Sequence, residues 1–139
     1  MNGIPLAVGV DMVEVPRIAR AIERWGDRFL KRVYTPIEIA HCRGRIPELA
    51  VRFAAKEAAS KALGVGIWWR GGIAWTEAEV RSDPLGKPEL ALYGRAQQRA
   101  QELGLDQWAV SLSHTDDHGI AMVIALSGNH LATLSGAGA

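Results

Sequence analysis

Residues 52–63 have the sequence RFAAKEAASKAL, which predicts the central helix of this protein. The segment holds no proline, glycine or β-branched residue, and Gly64 follows it as a C-terminal stop. At about 100° per residue, one arc of this helix carries only apolar side chains, most of them small. They are Val51, Ala54, Ala55, Ala58, Ala59 and Ala62. We therefore expect another element of the fold to pack closely against this arc.

The opposite arc of the same helix is polar. It carries Arg52, Lys56, Glu57, Ser60 and Lys61, with Phe53 among them. One interpretation is a solvent-exposed Glu57–Lys61 ion pair, one turn apart, which contributes a few tenths of a kcal/mol. The alternative is the wall of a functional cleft, because a solvated face has little reason to hold a phenylalanine.

The composition is that of a single globular domain. Of 139 residues, 48% are hydrophobic and 22% charged, which predicts one domain over residues 1–126 and a flexible Gly/Ala/Ser-rich tail over residues 127–139. The net charge of +1 creates no overall field that would attract nucleic acid. No apolar run reaches the length of a membrane span, and the N-terminus lacks the basic start of a signal peptide. The single cysteine, Cys42, excludes an internal disulfide, so we expect a cytoplasmic protein. From the net charge and the lack of a long apolar run, we expect no nucleic-acid or membrane partner.

Residues 6–13 form a short, continuous apolar run that predicts a buried strand. Asp11 interrupts this run, and a buried carboxylate is costly unless another group pairs with it. Two interpretations of Asp11 are open. It either closes the strand and caps the following turn, or it is a ligand presented at the end of the strand.

The next segment predicts a helix over residues 16–25 with a basic stripe. Arg17, Arg20 and Arg24 share one side of this helix, opposite its apolar residues. Such a stripe is usually a solvated face. It also fits docking of an acidic partner, because arginine pairs geometrically with carboxylates.

The remaining pattern predicts an α+β fold, with a long central helix against a small, mainly antiparallel sheet. Helices are expected over residues 29–33, 36–43, 47–63 and 89–103, and strands over residues 73–80, 108–115 and 120–126. The last two strands form a hairpin around residues 116–119. Lys87 lies in a Gly-Lys-Pro turn, where an ordinary exposed lysine is the simpler interpretation. His114 lies at the end of a strand, where a histidine is more often structural than catalytic.

Three segments carry a family pattern when they are taken together. They are GVDMVEVPRI at residues 9–18, RFAAKEAASKALGVG at residues 52–66, and VSLSHT at residues 110–115 with Ala121 and Val123-Ile124 after it. Gly86-Lys87-Pro88 falls between the second and the third. In order and spacing, over roughly residues 5–126, the chain resembles the holo-(acyl-carrier-protein) synthase family, the small type of 4′-phosphopantetheinyl transferase. Val65 and the Trp68-Trp69 pair depart from the family pattern, and neither removes a polar group that the chemistry needs.

The resemblance implies the 4′-phosphopantetheinyl transferase fold and a reaction. The phosphopantetheine arm of coenzyme A moves to a serine of an acyl carrier protein, and adenosine 3′,5′-bisphosphate leaves. Asp11 and Glu57 match the family's metal carboxylates, for Mg²⁺ or alternatively Mn²⁺. Glu57, directly or through a water, is then the base for the incoming serine, and Lys61 assists the leaving phosphate. Cys42 needs no role.

The same resemblance implies partners and further binding residues. Coenzyme A is expected to contact Arg52, Lys56, Ser60, Lys61, Gly64, Lys87, His114 and Thr115. Arg17 matches a family position that contacts the acidic carrier, and helical spacing extends this docking surface to Arg20 and Arg24. The family forms homotrimers with sites shared between subunits. The carrier serves either fatty acid or polyketide biosynthesis, and the sequence does not distinguish the two.

Two other classes of function remain alternatives. A non-catalytic module that binds coenzyme A or a nucleotide would keep the cations and could dispense with the carboxylates. A Mg²⁺-dependent phosphohydrolase would direct the carboxylates at water and would need no basic helix.

Overall fold

A computed structural model describes residues 6–68 and 70–128 of the chain. Along the chain its elements are β1 (Leu6–Glu14), α1 (Val15–Trp25), α2 (Asp27–Val33), α3 (Pro36–Cys42), α4 (Ile46–Leu63), a 3₁₀ turn (Trp75–Glu77), β2 (Ala78–Ser82), β3 (Pro88–Leu92), α5 (Gly94–Leu103), β4 (Gln107–His114) and β5 (His118–Leu126). Within these ranges, no helix is long and apolar enough to cross a membrane. Trp69 and residues 129–139 of the predicted tail lie outside the described residues.

The strands form two antiparallel sheets, which confirms the predicted α+β class. The larger sheet has the order β1-β5-β4, and β2 pairs with β3 in a separate two-stranded sheet. Along β1 and β5 the side chains alternate between a face that packs on α4 and an exposed outer face. The outer face is apolar and consists of Leu6, Val8, Val10, Met12, Ile120, Met122 and Ile124. The single chain leaves this face uncovered.

The alanine arc of α4 packs directly on the larger sheet. Ala54, Ala55, Ala58 and Ala59 are completely buried. Gly9 in β1 makes the close approach possible, because a Cβ atom at this position would collide with the carbonyl oxygen of Ala58. The prediction that another element approaches this arc closely is therefore confirmed.

The close approach at Gly9 gives a stability prediction. Gly9→Ala forces the strand away from α4, and we expect it to lower the free energy of unfolding by about 3 kcal/mol, the upper range for overpacking. Urea unfolding measures the loss. The matched control is Gly104→Ala, because nothing lies within 4 Å of an added Cβ there and only the left-handed backbone opposes the change, at about 1 kcal/mol. Equal losses in the two variants would contradict the collision.

The predicted helix over residues 89–103 is wrong in its first part. Residues 88–92 form β3, which pairs with β2, and α5 begins only at Gly94. No residue next to the start of α5 caps it. Instead the backbone N–H of Arg95 donates to Oε2 of Glu77 at 2.6 Å, so the cap comes from 18 residues away. Strand pairing and this distant cap override the local helix preference of residues 89–92.

The predicted strand over residues 73–80 is also partly wrong. Residues 75–77 form the 3₁₀ turn, and the strand occupies residues 78–82. Glu77 bends the chain here, because its Oε1 accepts the backbone N–H of Ala74 at 2.6 Å. The carbonyl groups of Trp75 and Ala78 then point at Lys56 of α4, which holds the turn in place.

Candidate active site

Asp11 and Lys61 meet where β1 crosses α4. Nζ of Lys61 donates to Oδ1 of Asp11 at 2.9 Å and to the carbonyl oxygen of Val10 at 3.0 Å. Asp11 projects toward α4 because it shares the inner face of β1 with Gly9 and Val13. The lysine remains half exposed, so the contact borders solvent. Asp11 is thus paired across elements and does not serve only to close its strand.

Glu57 lies on α4 one turn before Lys61 and is half-buried beside Asp11. Burial raises the pKa of Glu57, and the negative charge of Asp11 raises it further. The positive charges of Lys61 and Arg17 oppose this shift without cancelling it. A carboxylate with a raised pKa is a better proton acceptor at neutral pH than an ordinary one.

The two carboxylates suit a hard divalent cation that has few protein ligands. Within residues 6–68 and 70–128, no group of three or more His, Cys, Asp or Glu side chains could hold a metal ion. Mg²⁺ is commonly bound by one or two carboxylates, with substrate phosphates and water as the other ligands. A cation between Asp11 and Glu57 would relieve the repulsion between their negative charges, which contributes to the raised pKa of Glu57. The residues present therefore fit Mg²⁺, and they would fit Mn²⁺ by the same chemistry.

A second polar site lies at the N-terminal part of α4. It is a cavity of about 500 Å³, whose polar lining consists of His41, Arg43, Arg45, Glu48, Arg52, Ser82 and His114. Burial and the charges of Arg52 and Arg45 lower the pKa of His41, so this imidazole is neutral near pH 7. Burial alone would raise the pKa of Glu48, but the hydrogen bond and charge of Arg52 bring it below its ordinary value. The cavity thus holds several cations around one carboxylate.

Arg52 has an unsatisfied donor at this cavity. Its side chain is only 3% exposed, and its NH1 donates to Oε2 of Glu48 at 2.8 Å and to the carbonyl oxygen of Glu48 at 3.1 Å. Its Nε is buried with no partner among the described residues. Nε2 of His114 lies 3.7 Å from the same carboxylate. A buried guanidinium N–H without an acceptor is costly, and the positive charge of Arg52 in the cavity lining favours an anion there.

Lys56 is a structural residue, contrary to the prediction that it binds coenzyme A. It is completely buried, and its Nζ donates to Oε1 of Glu38 at 2.7 Å, to the carbonyl of Ala78 at 2.7 Å and to the carbonyl of Trp75 at 3.1 Å. An ammonium group has three N–H donors, so none remains for a phosphate. Glu38 also accepts the backbone N–H groups of Thr35 and Val80 and thereby joins α3, α4 and β2.

Three further predicted contacts have different surroundings. The hydroxyl of Ser60 is buried and donates to the carbonyl of Glu57 at 2.7 Å, so a contact with coenzyme A, which stays a prediction, would require this proton to turn away from α4. Gly64 caps α4 at φ 70°, and its N–H donates to the carbonyl of Lys61. The backbone N–H of Gly64 is therefore already used. Gly64 can let a ligand approach closely, but it cannot donate a hydrogen bond to that ligand. Thr115 accepts the backbone N–H of His118 at 3.1 Å in the β4–β5 turn and is exposed.

Lys87 is not in the lining of either polar site, although its neighbours Gly86 and Pro88 line the cavity that holds Arg52 and His114. It is exposed and borders a shallow apolar groove over the outer face of β4 and β5, with Ser111, Met122 and Ile124. The structure therefore brings together Asp11, Glu57 and Lys61 at one place and Arg52 and His114 at another. Lys87 lies at the edge of the second group, between two residues of the cavity lining.

Phe53 links the predicted basic helix to the site, as the cleft interpretation required. Its ring stacks on that of Trp75 with centroids 4.6 Å apart, and the guanidinium of Arg17 lies 5.6 Å from the Phe53 centroid. A cavity of about 390 Å³ opens beside these rings. Arg20 and Arg24 are exposed on the same helix.

Sequence reasoning missed Arg43, Arg45 and Glu48 at the cationic cavity. The side chain of Arg45 donates to the carbonyl groups of His41 and Cys42, which holds it at the cavity entrance.

Comparison with known proteins assigns the class of this fold and site. The family model described as the 4′-phosphopantetheinyl transferase superfamily matches residues 7–123. The holo-(acyl-carrier-protein) synthase of Herpetosiphon aurantiacus is 52% identical over 125 residues, which cover 87% of this chain and 98% of that protein. That of Koribacter versatilis is 49% identical over 122 residues, covering 86% of this chain and 96% of that protein.

Solved structures agree with these matches. The Helicobacter pylori holo-(acyl-carrier-protein) synthase in complex with coenzyme A superposes with a TM-score of 0.77 at 30% identity, covering 85% of this chain and 98% of that chain. The Neisseria meningitidis enzyme gives a TM-score of 0.76 at 33% identity, covering 86% and 96%. The chain therefore belongs to the 4′-phosphopantetheinyl transferase superfamily and, within it, to the holo-(acyl-carrier-protein) synthase family. It is an enzyme of the transferase class, as the sequence predicted.

Proposed function

We propose that this enzyme transfers the 4′-phosphopantetheine group of coenzyme A to a serine of an acidic apo-acyl carrier protein and releases adenosine 3′,5′-bisphosphate, with Mg²⁺ as cofactor. The observation that carries the proposal is the cluster of Asp11, Glu57 and Lys61 at the crossing of β1 and α4. Glu57 and Lys61 lie one turn apart on α4, and Asp11 of β1 pairs with Lys61, so two carboxylates and a cation are close together.

Each side chain of this cluster has a distinct task in the proposed reaction. Glu57, with its raised pKa, takes the proton of the serine hydroxyl, directly or through a water. Lys61 is free to swing from Asp11 to a phosphate oxygen, because its side chain is half exposed. Asp11 and Glu57 would hold the metal, which supplies neutralisation of charge on the phosphate oxygens. No covalent enzyme intermediate is needed, so the buried Cys42 is not used.

The cationic cavity supports coenzyme A as the donor substrate. Coenzyme A carries a 3′-phosphate in addition to its pyrophosphate, so it needs cations at two places. The guanidinium of Arg52, with Arg43, Arg45 and His114 in the lining of the same cavity, suits one of these anionic groups. Thr115, next to His114, and Lys87 remain predicted contacts. Coenzyme A is the ligand named for the Helicobacter pylori relative.

The positions of the two polar sites support an assembly with sites between subunits. Arg52 and Lys61 are nine residues apart on α4, which is about 13 Å along the helix and about 180° around it. They therefore face away from each other, and one coenzyme A molecule would bridge them poorly within a single chain. The apolar outer face of β1 and β5 offers a surface for association. We propose a homotrimer in which one subunit contributes the carboxylates and its neighbour contributes cations.

Val10 lies in the middle of the outer face, opposite Met122 in the β1–β5 register, and gives a test of assembly. Val10→Asp places a charge in the proposed interface. We expect a trimer in the unmodified protein and dissociated chains in the variant, as measured by light scattering after size-exclusion chromatography. The control is Leu103→Asp, since Leu103 is 41% exposed at the end of α5, a helix that packs against α4. A monomeric unmodified protein would contradict the proposed assembly.

The basic stripe of α1 supports an acidic carrier as the acceptor substrate. Arg17 lies close enough to Glu57 for its charge to oppose the rise in the pKa of this carboxyl, so a carrier bound to Arg17 would present its serine near the proposed base. Arg20 and Arg24 extend the same exposed surface. We propose that the enzyme is cytoplasmic, in agreement with its single, unpaired cysteine.

One experiment tests the reaction and separates the three classes of function. The protein is incubated with coenzyme A, Mg²⁺ and an apo-acyl carrier protein, and the carrier is weighed by mass spectrometry. A phosphopantetheine adduct that depends on the metal is the expected result. Binding of coenzyme A without any adduct would support a non-catalytic module. Hydrolysis of coenzyme A without an adduct would support a phosphohydrolase.

A further inference from the structure

The cavity of about 390 Å³ beside Phe53 has an apolar inner wall. This wall consists of side chains that are buried or half-buried, namely Phe29, Val33, Phe53 and Trp75. The volume lies in the range of small-molecule pockets, which are mostly apolar and carry a few polar groups that orient the ligand. The cavity is therefore large enough for an organic ligand with a substantial apolar part.

Two arginines, Arg28 and Arg32, supply the charge at this cavity. Both are exposed and therefore lie at its mouth, and they are one turn apart on the same side of α2. Neither forms an ion pair in the part of the chain that the structure describes. A carboxylate at the mouth would receive charge-assisted hydrogen bonds from two guanidinium groups.

Tryptophan rings limit the motion of both arginines. The guanidinium of Arg28 lies 6.0 Å from the ring centroid of Trp25, and that of Arg32 lies 5.5 Å from the ring centroid of Trp68. A guanidinium over a ring face keeps its N–H edge available for an acceptor. The two cations are thus partly ordered before a ligand arrives, which lowers the entropy cost of binding.

The inner wall favours an alkyl chain over an aromatic ligand. Phe53 already stacks on Trp75 with centroids 4.6 Å apart, and the Phe29 centroid lies 6.4 Å from that of Phe53. The guanidinium of Arg17 lies over the ring of Phe53 as well. Since these ring faces have protein partners, a ligand meets ring edges and the methyl groups of Val33. A flexible alkyl chain can follow such a surface without needing a free ring face.

We infer that this cavity binds an alkyl carboxylate, whose chain lies along the apolar inner wall and whose carboxylate lies between Arg28 and Arg32. Both parts of the ligand follow from the lining, because the cavity offers apolar surface inside and unpaired positive charge at its mouth. An anion without a chain would leave the wall hydrated, and a neutral chain would leave the arginines without a partner.

The position of the cavity determines which substrate the ligand would obstruct. Phe53 belongs to the inner wall, its ring contacts Arg17, and Glu57 follows Phe53 by one turn of α4. A bound alkyl carboxylate therefore lies on the side of the site that receives the carrier, away from the cavity that holds Arg52. The binding is independent of the proposed function, whereas the expected competition with the carrier rests on it.

Binding is tested with decanoate, by titration calorimetry of the full chain without substrates and below the concentration at which decanoate forms micelles. Arg32→Gln removes one charge from the mouth of the cavity. The matched control is Lys31→Gln, since Lys31 is the preceding residue of α2 and lines a different groove with Tyr34 and Ile39. We expect Arg32→Gln to weaken binding about fivefold, and Lys31→Gln to stay within about twofold of the unmodified protein.

Two further probes distinguish a cavity from general adsorption. Octanoate is about two methylene groups shorter than decanoate, and we expect it to bind about tenfold more weakly, because each buried methylene changes affinity about fourfold at most. Decyltrimethylammonium has a similar chain and the opposite charge, and we expect no detectable binding. Equal affinities for the three probes would refute the site, as would equal affinities of Arg32→Gln and the unmodified protein. Binding to phosphatidylglycerol vesicles that Arg32→Gln abolishes, without binding of decanoate, would assign the arginines to a membrane surface and would also refute the site.

Transfer assays then test the consequence for the reaction. Decanoate should raise the apparent KM for the carrier and leave the KM for coenzyme A unchanged, and Arg32→Gln should require about fivefold more decanoate for the same effect. A rise in the KM for coenzyme A alone would place the ligand elsewhere and overturn the inference. If the unmodified protein binds decanoate as expected but transfers no phosphopantetheine, the binding site stands and the proposed function fails.

Discussion

Glu57→Gln is expected to reduce transfer of phosphopantetheine by at least about 100-fold, the lower range for loss of a general base. The amide has nearly the same shape as the carboxylate but cannot accept the serine proton, and it is a weaker ligand for a hard cation. The rate is measured by mass spectrometry of the carrier at saturating coenzyme A. We expect the effect in kcat rather than in the KM for coenzyme A, because Arg52 and its cavity are untouched.

The control for this variant is Glu89→Gln, which neutralises an exposed carboxylate in β3. It should retain full activity. A Glu57→Gln enzyme with normal kcat would remove Glu57 from the mechanism, whatever the metal dependence shows.

The same variant has an expected effect on stability. Because the folded-state pKa of Glu57 is raised, the folded chain keeps a proton that the unfolded chain releases as pH rises through this interval. The charge of Glu57 thus lowers stability at and above the raised pKa, and it has little effect below the ordinary one. Without divalent metal, Glu57→Gln should raise Tm at about pH 7 and leave it unchanged at about pH 4. A lower Tm at the higher pH would contradict the assigned shift.

Lys56→Met is expected to lower the free energy of unfolding by about 3–5 kcal/mol, as for other buried ion pairs that lose one partner. Glu38 would remain completely buried without its cationic partner, and the carbonyl groups of Trp75 and Ala78 would lose their donor. Urea unfolding at neutral pH measures this loss. A second substitution, Glu38→Gln, removes the uncompensated charge, so the double variant should recover part of the stability.

The matched control is Lys61→Met, the same substitution on the same helix. Lys61 pairs with Asp11 at a half-exposed position, where an ion pair is worth at most about 1 kcal/mol. If Lys56→Met unfolds no more easily than Lys61→Met and instead raises the KM for coenzyme A, then Lys56 binds substrate and the structural assignment is wrong.

The sequence correctly predicts those parts of the fold that depend on residues close to one another in the chain. The alanine arc of α4 identified the face that packs on β1, since only small side chains permit such an approach. Asp11 is a charge in an apolar strand, and Thr35 and Glu38, three residues apart, form a capping box at the start of α3. These predictions depend on neighbours in the chain and on one helix period.

The errors arose where distant parts of the chain decide the environment. The helical period predicts that Lys56 and Glu57 lie on the same arc of α4. It does not predict that α3 and β2 cover the part of this arc that carries Lys56. The start of α5 is capped by Glu77 from another element, so residues 89–92 carry no local signal of where the helix begins. The cavity around Arg52 likewise needs Arg43 and His114, which only the fold brings together.

The opposite directions of Arg52 and Lys61 on α4 have a consequence for how turnover is controlled. In the proposed assembly, neither half of the site is useful until two copies meet, so folding yields an inactive chain and association yields the enzyme. The catalytic rate per chain then depends on the protein concentration, and dilution lowers this rate without any inhibitory ligand. A newly made chain would not transfer phosphopantetheine from coenzyme A until enough copies had accumulated to associate.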